Sequence, residues 1–191
     1  MNIIFVRHGE SEHNAKVTEV SDCKLTEIGK KQAETLGNRL KKYKISDVYT
    51  SNLLRAKETG EIISEILNVP IKENLEELDE YSSKHLMYIF RALFRRKTNK
   101  RLKKLKRFLN KISKGRNEDK TILIVAHGIT NRIIMGYLSQ IPLRRQLLRF
   151  SQENTCLNIL QWKEEYKNWN INCVNDIEHL PIKLRDNHTL R

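Results

Sequence analysis

The sequence predicts an α/β protein, a three-layer α/β/α sandwich with a mostly parallel central sheet. Apolar, strand-like runs alternate along the chain with segments whose apolar residues recur at helical spacing. The strongest run, at 121–126, is continuous and mostly β-branched, which is typical of a strand buried on both faces of a parallel sheet. No internal repeat and no linker rich in glycine, proline or serine interrupts the sequence, so we expect a single domain over residues 1–191.

The predicted elements follow one another as strand and helix. Residues 2–6 are apolar and include isoleucine and valine, which indicates a short buried strand. Thr26 suits the N-cap of a helix that ends near Lys44, where cations favour a helix C-terminus. The remaining elements are a strand at 47–50, a helix at 53–67, a strand at 70–72, helical residues 84–114, the strand at 121–126, a helix at 129–138, and a hairpin of strands 156–162 and 169–174.

Two helix boundaries depend on single residues. We expect Pro70 to end the second helix, because proline cannot continue the hydrogen-bond ladder. We expect residues 84–114 to form two helices separated near Thr98 and Asn99, with Asn99 capping the second. From Asp176 onward the sequence has little periodicity, which predicts a tail without regular structure.

The positive charge is concentrated in one segment. The chain has a formal net charge of +13, and residues 91–116 contain 13 lysines and arginines and no acidic residue. One interpretation of this segment is a solvated helical face. The other is that the basic helical residues 84–116 form a lid or rim of the domain, which attracts an anionic substrate. Contact with a membrane surface through residues 86–104 is a less favoured interpretation, because the same apolar stripe serves core packing. Nucleic acid is disfavoured as a partner, because no reading motif accompanies the charge.

The remaining composition is typical of a cytoplasmic protein. Three cysteines (Cys23, Cys156 and Cys173) are odd in number and have no metal-ligand spacing, which favours reduced thiols. No run approaches the roughly 18 apolar residues of a membrane span. The apolar start at residues 1–6 is too short for a signal peptide, so we expect a cytoplasmic location. Neither a protein partner nor an oligomeric state is predicted.

Two histidines follow the ends of predicted strands. His8 comes shortly after the first strand and His127 directly after the run at 121–126, each beside a glycine. Open α/β sheets bind ligands at the carboxyl ends of their strands, so both histidines are expected at one edge. Arg7 and Arg55 would add guanidinium groups, which bind phosphate bidentately. Taken alone, a histidine after a strand is more often a structural residue with a satisfied hydrogen bond.

Five motifs in a fixed order carry more information than either histidine. They are Arg7-His8-Gly9-Glu10-Ser11 with Asn14, Leu25-Thr26-Glu27-Ile28-Gly29 with Gln32-Ala33, Ser51-Asn52-Leu53-Leu54-Arg55-Ala56-Lys57-Glu58-Thr59, Leu75-Glu76-Glu77, and Val125-Ala126-His127-Gly128. In sequence and order they resemble the histidine phosphatase superfamily, in its phosphoglycerate-mutase-like branch. The resemblance spans about residues 2–138 and implies the sandwich fold described above.

The resemblance also implies an activity: a histidine acid-type phosphatase that hydrolyses a small phosphorylated metabolite through a phosphohistidine, without metal or cofactor. His8 would be the nucleophile and Glu77 the proton donor. The residues implied to bind the transferring phosphoryl group are Arg7, Asn14, Arg55 and His127. A phosphoglycerate-type mutase and a polyanion-binding module without activity are the alternatives.

The choice of Glu77 depends on the Leu-x-Glu register alone. Glu76, Asp79 and Glu80 crowd the same stretch, where a solvated acidic loop is the competing interpretation. Ser51 could hydrogen-bond within the site, but a serine at a strand end is more often a helix N-cap, so it is left out of the predicted site. Substrate specificity is expected to depend on residues 78–118 and the C-terminal region, where the resemblance is weakest.

Overall fold

The computed structural model describes residues 1–81, 96–114, 119–142, 145 and 150–185. Within this part of the chain, a six-stranded sheet lies between two layers of helices, which confirms the predicted α/β/α sandwich. The strands are β1 (Asn2–Arg7), β2 (Ile45–Ser51), β3 (Ile71–Leu75), β4 (Thr121–Ala126), β5 (Leu157–Lys163) and β6 (Asn168–Asp176). The helices are α1 (Glu27–Leu40), α2 (Leu54–Leu67), α3 (Arg96–Ile112) and α4 (Gly128–Leu138).

The strand order places four parallel strands side by side. The order is β3-β2-β4-β1-β5-β6, and β1, β2, β3 and β4 run parallel, whereas β5 is antiparallel to both of its neighbours. Arg7 is in register with Ala126, and Thr50 is in register with Val125. The residues that follow β1, β2 and β4 therefore leave the sheet at the same edge.

Each face of the sheet has its own apolar core. Ile3 and Phe5 of β1 belong to the cluster that includes α3 and α4, whereas Ile4 and Val6 belong to the cluster that includes α1 and α2. All four side chains are fully buried, as the alternation of a β-strand requires. Burying each such side chain contributes about 2 kcal/mol to folding, so β1 is held from both sides.

The ends of α1 and α2 show how local sequence sets the helix boundaries. The Thr26 hydroxyl accepts a hydrogen bond from the Gly29 N–H at 3.0 Å, which confirms the predicted N-cap. The predicted end of α2 at residue 67 is confirmed, but its predicted cause was wrong: Asn68, in the left-handed conformation (φ 54°), ends this helix before Pro70 is reached. Asparagine tolerates that conformation better than most residues, so the stop signal is Asn68.

Helix α3 continues through the position where a break was expected. Its backbone is helical from Arg96 to Ile112, so the predicted separation near Thr98 and Asn99 was wrong. Threonine and asparagine cost less than about 0.7 kcal/mol each inside a helix, which tertiary packing readily outweighs. The packing comes from a buried stripe of Leu105, Phe108, Leu109 and Ile112. The helix predicted for residues 84–95 lies outside the described residues, as does most of the segment considered for membrane contact.

The loop after β1 packs against α1 backbone to backbone. A Cβ on Gly9 would lie 2.4 Å from the carbonyl oxygen of Gly29, and a Cβ on Gly29 would lie 2.0 Å from that of Glu10. The Glu10 N–H also donates to the Gln32 side chain at 2.8 Å. Only glycine fits at both contact points, so the first two motifs of the sequence hold one another in place.

The C-terminal region is more ordered than its sequence predicts. It contains a 3-10 turn at Ile182–Leu184, and the Leu184 carbonyl accepts a hydrogen bond from the Gln32 side-chain amide at 2.7 Å.

The described helices include none that combines the length and the apolar character needed to cross a membrane.

Candidate active site

The structure brings together four of the residues predicted from the sequence. His8 follows β1, His127 follows β4, and Arg55 lies in the first turn of α2, while Arg7 is the last residue of β1. The two imidazole rings are 5.0 Å apart between centroids, and both are almost fully buried. The site is therefore a small cationic pocket at the carboxyl edge of the central parallel strands.

The hydrogen bonds of His8 define its tautomer. Its Nδ1 lies 2.7 Å from the Gly9 carbonyl oxygen, which can only accept, so Nδ1 carries the proton. The Arg55 Nε–H donates to the other ring nitrogen, Nε2, at 3.0 Å. Nε2 is thus unprotonated and presents its lone pair towards a guanidinium group.

Burial keeps His8 neutral. Desolvation is the largest of the effects that hold the pKa of His8 well below 6.5, and the nearby His127, Arg7 and Arg55 lower it further. A neutral imidazole with a free Nε2 lone pair is the form of histidine that can act as a nucleophile.

His127 has the opposite tautomer. Its Nε2 lies 2.8 Å from the Ser51 hydroxyl oxygen, and that hydroxyl donates its own proton to the Asp79 carboxylate at 2.8 Å. Since Ser51 has one proton to give, His127 must be the donor in the first contact and carries its proton on Nε2. Its Nδ1 is buried and has no hydrogen-bond partner among the described residues. Desolvation, followed by Arg55, Arg7 and Arg101, holds the pKa of His127 well below 6.5.

The two arginines are anchored by backbone carbonyl groups. Arg7 donates to the Gln152 carbonyl at 2.6 Å, and Arg55 donates to the Ser21 carbonyl as well as to His8. Arg55 is almost completely buried, and Arg7 is half-buried. Both guanidinium groups are therefore fixed before any anion enters the pocket.

The carboxylate that faces this pocket is Glu80, whereas Glu77, the proton donor that the sequence favoured, lies elsewhere. Glu77 lines a different pocket at the surface, together with Lys104, Arg107 and others. Glu80 accepts a hydrogen bond from the Ile129 N–H at 3.2 Å and interacts electrostatically with both Arg7 and Arg55. Glu77 lies within the 3-10 turn at Glu76–Leu78, and the chain reaches the site only after this turn.

The pKa of Glu80 is raised above its ordinary value. Desolvation by burial is the largest cause, and it outweighs the opposing effect of Arg7 and Arg55. The protonated, neutral form of this carboxyl group is therefore accessible at a higher pH than for an exposed glutamate.

A second Leu-x-Glu pattern could have identified Glu80. The pattern occurs at Leu75-Glu76-Glu77 and again at Leu78-Asp79-Glu80, and both leucines are buried.

Ser51, which was left out of the predicted site, hydrogen-bonds to one of the site histidines. Its hydroxyl accepts a hydrogen bond from the Leu53 N–H at 3.1 Å, as in a local turn. The same hydroxyl also forms hydrogen bonds with His127 and with Asp79, and so connects these two residues.

Asn14 lies in the loop that follows β1, and its hydrogen bonds are with that loop. Its side-chain oxygen accepts from the Ser11 hydroxyl at 3.0 Å and from the Ser11 N–H at 3.3 Å. The residue is exposed and lines a surface pocket together with His13 and residues 16–19. The described contacts of Asn14 are thus with its own loop, and its part in phosphate binding stays a prediction.

Comparisons with known proteins agree on one family. Residues 3–177 match the model of the histidine phosphatase superfamily (branch 1). The chain is 30% identical over 190 residues to the protein named uncharacterized phosphatase PhoE of Bacillus subtilis, covering 93% of this chain and 96% of that one. It is 27% identical over 217 residues to a protein of Photorhabdus laumondii named probable phosphoglycerate mutase GpmB, covering 97% and 98% respectively.

Solved structures share the fold. A phosphoserine phosphatase of Entamoeba histolytica, in complex with 3-phosphoglyceric acid, superposes with a TM-score of 0.75 at 21% identity, over 94% of this chain and 99% of that chain. The alpha-ribazole phosphatase of Shigella flexneri gives a TM-score of 0.71 at 20% identity, over 92% and 96%. At these identities the likeness establishes the fold.

We predict that the two site histidines are neutral and have opposite tautomers at pH 7. Two-bond proton–nitrogen correlation spectra of the protein labelled with nitrogen-15 in its six histidines would test this. We expect the His8 proton on Nδ1 and the His127 proton on Nε2, because Gly9 and Ser51 accept them. Since burial lowers both pKa values, both rings should stay neutral down to pH 6.5 without phosphate. An imidazolium signal from either residue at pH 7 would contradict the assignment.

Proposed function

Because the chain belongs to the histidine phosphatase superfamily (branch 1), we propose that it hydrolyses small phosphomonoesters through a phosphohistidine formed on His8. This activity makes the protein a phosphatase. The observation that carries the proposal is the His8 ring, whose Nε2 lone pair lies within the cationic pocket while Nδ1 is held by the Gly9 carbonyl. That arrangement suits attack on phosphorus and gives no advantage to a protein that only binds anions.

In the first step, Nε2 of His8 attacks phosphorus and the bond to the ester oxygen breaks. Arg55 donates to that nitrogen in the resting site, so a phosphoryl group that draws the guanidinium towards its own oxygens also frees the lone pair. Glu80, as the carboxylic acid, gives its proton to the leaving alkoxide. The products of this step are the alcohol and a phosphohistidine.

In the second step, water attacks the phosphohistidine. The Glu80 carboxylate takes a proton from this water, phosphate leaves, and His8 returns to its neutral form with a free Nε2. One residue thus serves as acid and then as base. This requires a carboxyl group that changes protonation readily near neutral pH, and the raised pKa of Glu80 supports that role.

Fixed cations supply the charge stabilisation. Arg7 and Arg55 would neutralise the equatorial oxygens of the transferring group, and His127 would add a third donor. The role resembles that of Mg²⁺ in other phosphoryl-transfer sites. We therefore propose that the reaction needs no metal ion.

A phosphoglycerate-type mutase remains the alternative enzyme. A mutase would return the phosphoryl group to a second hydroxyl, so it would be stimulated by a bisphosphate and release little phosphate. The 30% identity to a protein named as a phosphatase, over almost the full length of both chains, favours hydrolysis. Net phosphate release distinguishes the two.

We also propose that the basic segment guides anionic substrates to the site. Exposed cations follow one side of α3 at helical spacing, among them Lys100, Lys103 and Arg107. On the buried side of the same helix, Arg101 donates to the Asp79 carbonyl, next to the residue that faces the pocket. This row of like charges on α3 raises the local concentration of anions around the protein.

A reducing compartment such as the cytoplasm suits this enzyme. Cys23, Cys156 and Cys173 are all free thiols. Burial raises the pKa of the Cys156 thiol to about 12 and that of Cys173 to about 11, so neither is an activated thiolate. We propose that all three are structural.

We predict that the purified protein releases phosphate from an aryl phosphate in excess EDTA, and that His8→Ala abolishes the release. Loss of the nucleophile should lower kcat by at least about 10³-fold. His13→Ala is the matched control, because His13 lies exposed in the same loop, and its activity should equal that of the wild type. Full activity in the His8→Ala variant would overturn the mechanism.

We predict that Glu80→Gln lowers kcat by about 10²-fold, because glutamine cannot donate or take the proton. The matched variant Glu77→Gln removes the same charge three residues earlier and should change kcat by less than about twofold. Steady-state kinetics with a poor leaving group gives the sharpest comparison. The reverse result, with Glu77→Gln inactive and Glu80→Gln active, would restore Glu77 as the donor.

We predict that replacing Lys100, Lys103 and Arg107 together by glutamine lowers kcat/KM for a polyanionic phosphomonoester by about five- to tenfold at low ionic strength. At about 0.5 M salt the difference should disappear, because screening shortens the reach of the charges. Replacing Lys31, Lys41 and Lys44 by glutamine removes the same charge from exposed positions elsewhere. Equal losses in both triple variants would show that net charge, rather than the position of this row, matters.

A further inference from the structure

His127 is the start of a chain of hydrogen bonds that leads out of the pocket. The chain runs from His127 Nε2 through the Ser51 hydroxyl to the Asp79 carboxylate, with both contacts at 2.8 Å. His127 and Ser51 are fully buried. The three residues come from three separate places, the ends of β4 and β2 and the segment after the 3-10 turn at Glu76–Leu78.

We propose that Ser51 and Asp79 are positioning residues for His127, holding its proton on Nε2 and stabilising the imidazolium that forms when a phosphoryl group binds. The inference rests on the proposed function, and it names two residues that the phosphate-binding set does not contain. It describes how a neutral resting histidine becomes a cationic donor.

The need for a second proton follows from the tautomer. With its proton directed to Ser51, His127 has only a lone pair at Nδ1, and that nitrogen has no described partner. The ring is 5.0 Å from that of His8, so Nδ1 is the nitrogen left for the phosphoryl group. A lone pair repels phosphate oxygens, so His127 can donate to the substrate only after Nδ1 is protonated.

Asp79 is the group that favours this protonation. Arg7 of β1, Arg55 of α2 and Arg101 of α3 are the cations around His127, and they oppose a further positive charge. His8 beside it is neutral. Asp79 places a negative charge at the far end of the hydrogen-bond chain, and this charge offsets the arginines together with the charge of the incoming phosphate.

The Asp79 carboxylate is held firmly enough for this role. The Asn52 N–H donates to the same oxygen as Ser51, at 2.8 Å. The Asp79 carbonyl accepts from the Thr130 hydroxyl at 2.9 Å and from Arg101. Groups from α3, from α4 and from the residue after β2 thus fix Asp79, so its carboxylate is preorganised towards Ser51.

The test compares His127 in the wild-type protein and in Asp79→Asn by nitrogen-15 NMR with saturating inorganic phosphate, titrated from pH 5 to pH 9. The variant keeps an oxygen for the Asn52 N–H but loses the charge, and we expect the pKa of His127 in the phosphate complex to fall by about one unit. The basic limb of the kcat profile should move to lower pH by the same amount. Asp47→Asn, which removes a carboxylate at the other end of β2, should move neither value.

Ser51→Ala is the second variant, because it interrupts the chain without changing any charge. In the phosphate-free protein we expect His127 to lose its single Nε2–H tautomer and to give mixed signals. Unchanged titration in Asp79→Asn, or an unchanged tautomer in Ser51→Ala, would overturn the proposal. A wild-type protein with no phosphatase activity would refute the proposed function instead, since the phosphate-free spectra test the hydrogen-bond chain without turnover.

Discussion

The pairing of β4 with β1 on one side and β2 on the other is the constraint on which the site depends. Because the three strands are parallel and in fixed register, they end at nearly the same level, β1 at Arg7, β4 at Ala126 and β2 at Ser51. His8 and His127 are the next residues after β1 and β4. A slip of one residue in either pairing would turn these side chains to the opposite face of the sheet, so the register of the buried strands determines the geometry of the pocket.

The sequence predicted this part of the site well for the same physical reason. A strand buried on both faces is recognisable from its composition, and the position just beyond its end follows directly, as for His127 after 121–126. The residue that ends a helix was harder to identify where competing signals were close together. The end of α2 at residue 67 was predicted correctly, but Asn68 and Pro70 could each cause it, and only the backbone conformation shows that Asn68 does.

The carboxylate that faces the pocket was not identified from the sequence, because a local pattern carries no information about a turn. Leu75 and Leu78 are both buried and both precede an x-Glu pair, so hydrophobicity cannot choose between Glu77 and Glu80. The choice depends on the path of a 3-10 turn of three residues, whose course is set by packing against α3. Ser51 was excluded for a similar reason, since its decisive partner, Asp79, is 28 residues away in the sequence.

Burial in the pocket shifts the pKa values of His8 and Glu80 in opposite directions. Burial favours the neutral form of every ionisable side chain, which for a histidine is the base and for a glutamate is the acid. At His8 the neighbouring arginines act in the same direction as burial, so the pKa falls and the nucleophile is free. At Glu80 the arginines oppose burial and reduce the rise in pKa that burial alone would produce. In the proposed reaction the nucleophile must be unprotonated, whereas the group that acts as acid and then as base must change its protonation state, and the effects of the two arginines on the pKa values of His8 and Glu80 suit both requirements.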